Sequence, residues 1–309
     1  MRRKKVLITG ISGGLANQVA EMIPKNWDIV GVGLRDLRPV KGRQIEFHRL
    51  DITKNKLEDI FRRRQVDCVI HMAVNDNPRL PIKQRHHINV VGTMKLLEDC
   101  ERYEVKKVVL LSSATVYGAD PNNPVYITED FPLKVTQRYS EISDKVEFDS
   151  YCRSWMYKNP QISTIILRPC HIIGSHVHNN LTSYLRLKYI PIPLGFDPMM
   201  QVIHEIDMAR AINACLRYNH SGIYNIVGPG ELPLTELINI VGGMPIPVLH
   251  VVGYSALQAL WSLGIGPLPA PQVEYLMYPC IIDGTRFQKD FHFRPQLSLS
   301  ETLRATVLY

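Results

Sequence analysis

The chain has 309 residues, 45% of them hydrophobic, which is enough for one large domain or two closely joined ones and excludes a disordered or fibrous protein. Its net charge of +7 sits in short clusters such as Arg2 to Lys5 and Arg62 to Arg64 rather than along one face, so no nucleic-acid partner is expected. The six cysteines, Cys68, Cys100, Cys152, Cys170, Cys215 and Cys280, form no CxxC pair and read as reduced thiols of a cytoplasmic protein, not as disulfides or metal ligands.

The basic start runs straight into an apolar strand, so no signal peptide is expected. Val6 to Ile8 reads as a buried parallel strand, and Gly10, Gly13 and Gly14 then supply a tight turn before a helix over Leu15 to Ile23, stopped by Pro24. Such a turn can cradle a phosphate, because backbone N–H groups and the positive end of the helix dipole face the charge. Asp28 to Leu34 is expected to be the second strand, whose end selects between two nicotinamide cofactors: an acid for a ribose hydroxyl, an arginine for a 2′-phosphate. The signal is split. Gly33 stands at the acid position by strand count and Asp36 by local string, while Arg35 and Arg38 suit a phosphate, so NAD and NADP both stay open.

Ile45 to Leu50 gives a third strand, Leu57 to Arg64 a helix, and Asp67 to Ala73 a fourth strand, uniformly apolar up to His71. Alternating strands and helices imply βαβ units, a parallel sheet, and a ligand at the carboxyl ends of its strands. The expected class is therefore α/β, with a Rossmann-type doubly wound parallel sheet. It divides into a dinucleotide-binding domain over 1–168 and a smaller substrate-binding portion over 169–309, interleaved with the first.

The strings TGISGGLA, Asp51-Ile52, DCVIHMA, Asn89 in NVVGT, KKVVLLSSATVYG, ILRPCHIIG and QVIHEIDMARAI follow one another in the order seen in one family. So do the tail elements Phe287, Phe293-Arg294-Pro295 and Ser298 to Glu301. Over nearly its whole length the chain resembles the extended short-chain dehydrogenase/reductase family, of the NAD-dependent epimerase/dehydratase type. The resemblance implies hydride transfer at a secondary alcohol or carbonyl with NAD(P). It implies that Gly10, Ser12 and Gly13 hold the pyrophosphate, with Ala16 replacing a third glycine. Asp51 and Ile52 would then flank the adenine, Ala73 would line the path to the nicotinamide ribose, and Asn89 would bridge from the following helix. Ser113 is implied as the hydroxyl on the reacting oxygen, with Thr115 beside it toward the substrate.

The family also uses a tyrosine and a lysine four residues apart on the next helix, the lysine lowering the tyrosine's pKa and holding the nicotinamide ribose. Here Tyr139 and Lys145 are six apart, which turns them about 240° from one another on a regular helix. Either Tyr139 precedes the helix and swings back toward Lys145 and Ser113, or Glu141 occupies the tyrosine's place and the protein binds a dinucleotide as a redox sensor or partner-binding module.

Beyond Pro169 the resemblance implies substrate contacts at Asn179 and His204, whereas Met200 stands where sugar-nucleotide enzymes often carry an arginine. That tilts the expectation toward a lipid-like or small carbonyl substrate. The helices around Lys83 to Tyr103 and Ile142 to Tyr157 correspond to those through which relatives form dimers, so a homodimer is expected. From Leu237 to Val273 there is no charged residue. Glycines and prolines interrupt this run, which favours a lid, a dimer surface or peripheral lipid contact through 248–268 over a membrane span.

Overall fold

The computed structural model describes residues 2–77, 79–134, 143–249, 255, 259, 261–263 and 270–307. Tyr139 and Glu141, and most of 248–268, lie outside the described residues. The first half contains β1 (Lys4–Thr9), α1 (Gly14–Met22), β2 (Trp27–Gly33), β3 (Ile45–Arg49), α2 (Glu58–Arg63), β4 (Cys68–His71), α3 (Ile82–His86), α4 (Gly92–Arg102), β5 (Lys107–Leu111) and α5 (Ser143–Lys158). There follow β6 (Ser163–Pro169), β7 (His171–Ile173), α6 (Asn180–Leu185), β8 (Tyr189–Pro193), β9 (Met199–His204), α7 (Glu205–Cys215) and β10 (Gly222–Ile226). The chain continues through β11 (Glu231–Pro233), α8 (Leu234–Ile240), β12 (Met244–Val248), α9 (Thr285–Asp290) and α10 (Leu299–Val307).

Seven strands form one sheet in the order β10-β6-β5-β4-β1-β2-β3, every neighbouring pair parallel. Both faces are covered, which is why the strands are apolar throughout. In β1, Val6 and Ile8 join the core beneath α1 and α7, while Leu7 joins the core beneath α2, α4 and α5. Strand order reverses on either side of β1, so a crevice opens at the carboxyl ends of β1 and β4. The Rossmann-type expectation holds, and the seventh strand, β10, is supplied from beyond residue 169.

Local rules explain the element ends. Ile23 leaves helical geometry at ψ 139 because a residue before proline is pushed out of the α region, and α1 stops there. The single helix expected over Lys83 to Tyr103 is instead α3, a π-helical turn over His87–Val91, and α4. That wider turn carries Asn89, which is fully buried. The later residues build two small sheets, β11-β9-β7 and β12-β8, over a third core of Ile173, Tyr184, Met200, Leu237 and their neighbours. No helix of the described residues is long and apolar enough to cross a membrane.

Candidate functional site

The glycine turn lies at the crevice. Gly10 has φ +73, and a Cβ on it would stand 2.8 Å from the Met72 carbonyl and 2.9 Å from Ala73 Cα, so only glycine lets β1 and β4 meet here. Gly13 caps α1 without any side-chain bond, which leaves the first-turn N–H groups of this nine-residue helix open to an anion. Ser12 turns away from that anion site and donates its hydroxyl to the Arg35 carbonyl at 2.6 Å. Gly14 is required by packing, since a Cβ there would fall 2.0 Å from the His176 carbonyl oxygen. The loop after β7 therefore crosses the start of α1.

A buried polar chain holds the floor. His71 Nε2 lies 2.8 Å from Thr93 Oγ1, which itself donates to the Asn89 carbonyl at 2.6 Å, and His71 Nδ1 lies 2.7 Å from Thr9 Oγ1. Because the Thr93 proton is already committed, His71 donates through Nε2 and accepts through Nδ1, so it is the neutral tautomer. Burial pushes its pKa down to about 4.

Asn89 ties three elements together. Its Oδ1 accepts from the Asn75 amide at 2.7 Å, and its Nδ2 donates to the Asn75 carbonyl at 3.1 Å and to Asp144 Oδ2 at 2.6 Å. Asp144 is also 3.5 Å from the buried Arg85 guanidinium. These contacts fix the first turn of α5, where Lys145 extends to Asp76 at 3.0 Å with 21% of its side chain exposed.

Ser113 follows β5 and caps the short 3₁₀ turn Ala114–Tyr117. Its Oγ accepts from the Thr115 amide at 3.2 Å and the Thr115 hydroxyl at 2.9 Å. Among the described residues nothing accepts the Ser113 hydroxyl proton, so it can donate to a ligand. Below it, buried Arg168 donates to Asp149 through Nε at 2.9 Å and Nη2 at 2.5 Å, and Ser112 donates to the same carboxylate at 2.6 Å. From above, Tyr275 donates its hydroxyl to the Thr115 carbonyl at 2.8 Å, and Trp261 lies under the Arg79 guanidinium at 4.4 Å. The segment just after the uncharged stretch thus reaches the turn that follows Ser113.

The remaining expected residues take more structural positions. Asp51 accepts from the Thr53 amide and hydroxyl at 2.9 and 2.8 Å, and Ile52 is buried against Gly92. Asn179 is the N-cap of α6: its Oδ1 accepts from the Thr182 amide and hydroxyl, both at 2.8 Å, and its Nδ2 donates to the Ile172 carbonyl at 2.7 Å. His204 caps α7 by accepting from the Ile206 amide at 3.1 Å, and burial lowers its pKa against the opposing pull of Glu205 and Asp207. Asp207 in turn accepts from the Gln296 and Leu297 amides, anchoring the tail.

Sequence reading did not single out Asp76, Asp144, Tyr275 or His171. His171 is half-buried at the start of β7, and its pKa falls to about 4 through burial and the Lys145 charge. The cue for Asp144 was an acid on the face of α5 that also buries Val146, Phe148 and Asp149, legible only once that inner face is known.

The sequence model of the NAD dependent epimerase/dehydratase family matches residues 6–227. An uncharacterized protein of Mycobacterium tuberculosis is 30% identical over 96% of this chain and 82% of its own length. UDP-glucose 4-epimerase of Dictyostelium discoideum is 30% identical over 70% of this chain and 73% of its own. Among solved structures, the Thermus thermophilus UDP-glucose 4-epimerase complex with NAD superposes with a TM-score of 0.75 at 19% identity, covering 98% of this chain and 97% of that one. A family match across most of the length, in a fold that those enzymes share, makes the chain a member of the NAD dependent epimerase/dehydratase family.

Proposed function

We propose that the protein is an NAD(P)-dependent epimerase, dehydratase or dehydrogenase that acts at a secondary alcohol or carbonyl. The observation that carries this reading is the convergence, at the carboxyl ends of β1, β4 and β5, of the uncapped start of α1, the donor hydroxyl of Ser113 and the ammonium of Lys145. The uncapped first turn of α1 after Gly13 offers a pyrophosphate its backbone N–H groups, and Asp51 and Ile52 would flank the adenine with Ala73 toward the nicotinamide. A bound nicotinamide supplies the hydride-accepting carbon. Ser113 would donate its proton to the reacting oxygen, and Lys145, here paired with Asp76, would hold the cofactor ribose. Tyr139 would serve as the proton acceptor for the alcohol, its phenolate favoured by the Lys145 charge as in the family's arrangement. Asn179 and His204 act by holding α6 and α7.

The curated relatives named as UDP-glucose 4-epimerases support a nucleotide-linked sugar as the first substrate class to assay, with Thr115 facing it. A lipid-like or small carbonyl substrate is the second class, because buried Met200 brings no cation to a diphosphate. A homodimer through α4 and α5 belongs to the same reading. It is supported by the outward residues Glu147, Arg153 and Tyr157 on α5 and is tested by sedimentation.

The deciding experiment follows the near-ultraviolet absorbance of reduced nicotinamide with panels of both substrate classes, in wild type, Tyr139→Phe and Lys145→Met. Loss of a proton acceptor should lower turnover by roughly 10²–10⁴ in Tyr139→Phe with dinucleotide affinity kept. Full turnover in that variant overturns the assigned role. Dinucleotide binding with no turnover on any compound favours a redox sensor or partner-binding module instead.

A further inference from the structure

The small parallel sheet β12-β8 buries one face and bares the other. Ile190 and Ile192 point into the third core, while Tyr189, Met244 and Ile246 point outward. Register sets Tyr189 beside Met244 and Pro191 beside Ile246, and Leu194 and Leu249 follow the two strand ends. The five large apolar side chains of this surface are 44% to 60% exposed. A run of apolar neighbours left open to solvent marks a contact surface.

The backbone shows what kind of partner fits. The Leu194 amide donates to the Val248 carbonyl at 2.8 Å and the Met244 amide to the Lys188 carbonyl at 2.9 Å, so the even-numbered residues of both strands bond across the pair. Within β12 the outward positions are therefore Pro245 and Pro247, and in β8 beyond Tyr189 they are Pro191 and Pro193. Neither edge presents the run of N–H groups that an added strand of a protein partner needs. The outward carbonyls of β8 are taken as well, Pro191's by the Tyr184 hydroxyl at 2.8 Å and Pro193's by the Phe196 amide at 3.2 Å. This edge can meet hydrocarbon without stranding either group.

Positive charge gathers at one end of the face. The residues just before β8 and β12 enclose an open cavity of about 270 Å³, lined by Arg186 and Lys188 and by no acid. Arg186 is fixed by the carbonyls of Thr306, Gly174 and Ser175, and exposed Lys188 holds its ammonium 5.5 Å from the Tyr189 ring centre. The first acid after β8, Asp197, lies past the opposite end and accepts from the Thr235 amide and hydroxyl at 2.9 and 2.6 Å. A lysine beside a tyrosine on the border of an apolar surface suits a bilayer interface, where the ring enters and the ammonium reaches for phosphate.

We infer that the outer face of β8 and β12 docks on a bilayer surface containing anionic phospholipid, with Tyr189, Met244 and Ile246 entering the headgroup boundary and Lys188 meeting lipid phosphates. No helix of the described residues is long and apolar enough to cross a membrane, so the attachment is peripheral. It stands independently of the dinucleotide reading.

Flotation of the full chain with vesicles of phosphatidylcholine alone, and of phosphatidylcholine mixed with phosphatidylglycerol, tests it. Wild type should bind the mixed vesicles roughly fivefold or more tightly than the neutral ones, with the difference shrinking as salt rises. Met244→Ser/Ile246→Ser should weaken binding to the mixed vesicles roughly tenfold or more. Lys188→Gln should weaken it roughly fivefold on the mixed vesicles alone. Both variants should keep the wild-type circular dichroism and urea midpoint, because the side chains replaced are exposed. Wild type that floats with neither vesicle overturns the inference, as does equal flotation of wild type and the double variant. A wild-type dimer that does not float and that the double variant splits in sedimentation also overturns it, since the face then joins two copies of the chain.

Discussion

Replacing Gly10 with alanine probes the closest approach in the crevice. Gly10 has φ +73, and the added carbon would stand 2.8 Å from both atoms of the Met72 carbonyl and 2.9 Å from Ala73 Cα. Left-handed backbone costs an alanine roughly 1–2 kcal/mol. Forcing a carbon into filled space costs about 1–3 kcal/mol more, and these neighbours are backbone, so β1 and β4 themselves must part. Gly195 is the internal control, with φ +86 and nothing within 4 Å of an added methyl. Gly195→Ala should therefore lose only the backbone part, roughly 1–2 kcal/mol. Urea titrations of the two variants, compared at equal slope, should place Gly10→Ala below Gly195→Ala by about 1–3 kcal/mol. Calorimetry should show weaker dinucleotide binding in Gly10→Ala alone. Equal losses of stability in the two variants would refute the argument from crowding.

Three further outcomes follow from the geometry. His71 keeps a pKa of about 4 in the folded chain against an ordinary 6.5, so the unfolded chain takes up its proton first as pH falls. Its contribution to stability is therefore complete above pH 6.5 and is lost toward pH 4, by about 3 kcal/mol. Urea midpoints of wild type should fall across that window, and His71→Gln should flatten the decline; an unchanged slope contradicts the assignment. Asp149→Ala strands the buried Arg168 guanidinium and should cost about 3–5 kcal/mol, most of it recovered in the Asp149→Leu/Arg168→Met double variant; a double variant no more stable than the single one would count against the buried pair. Trp261→Ala removes the ring under Arg79, a contact worth about 0.5–1 kcal/mol when exposed. It should raise the substrate KM roughly two- to fivefold with kcat held, and an unchanged KM means that the Arg79–Trp261 contact does not help to hold substrate.

The sequence by itself determined the parallel sheet, the glycine turn and the position of Ser113. Each of these depends on residues close together in the chain: an apolar run covered on both faces, a backbone that needs no Cβ, a hydroxyl just past a strand. It also marked Lys145 and Asn89 through the family resemblance, and it left Arg35 and Asp36 undecided between two cofactors. The tertiary structure alone decided that Asn89, Asp144 and Arg85 together set the start of α5, that Lys145 reaches Asp76, and that Asn179 and His204 are helix caps. It alone set Arg49 beside Gly33, Trp261 under Arg79 and Tyr275 against Thr115. The physical reason is that such side chains find their partners across strands and loops dozens of residues away. Their orientation is chosen by packing and by the need of each buried polar group for a bond, and neither is written in local spacing.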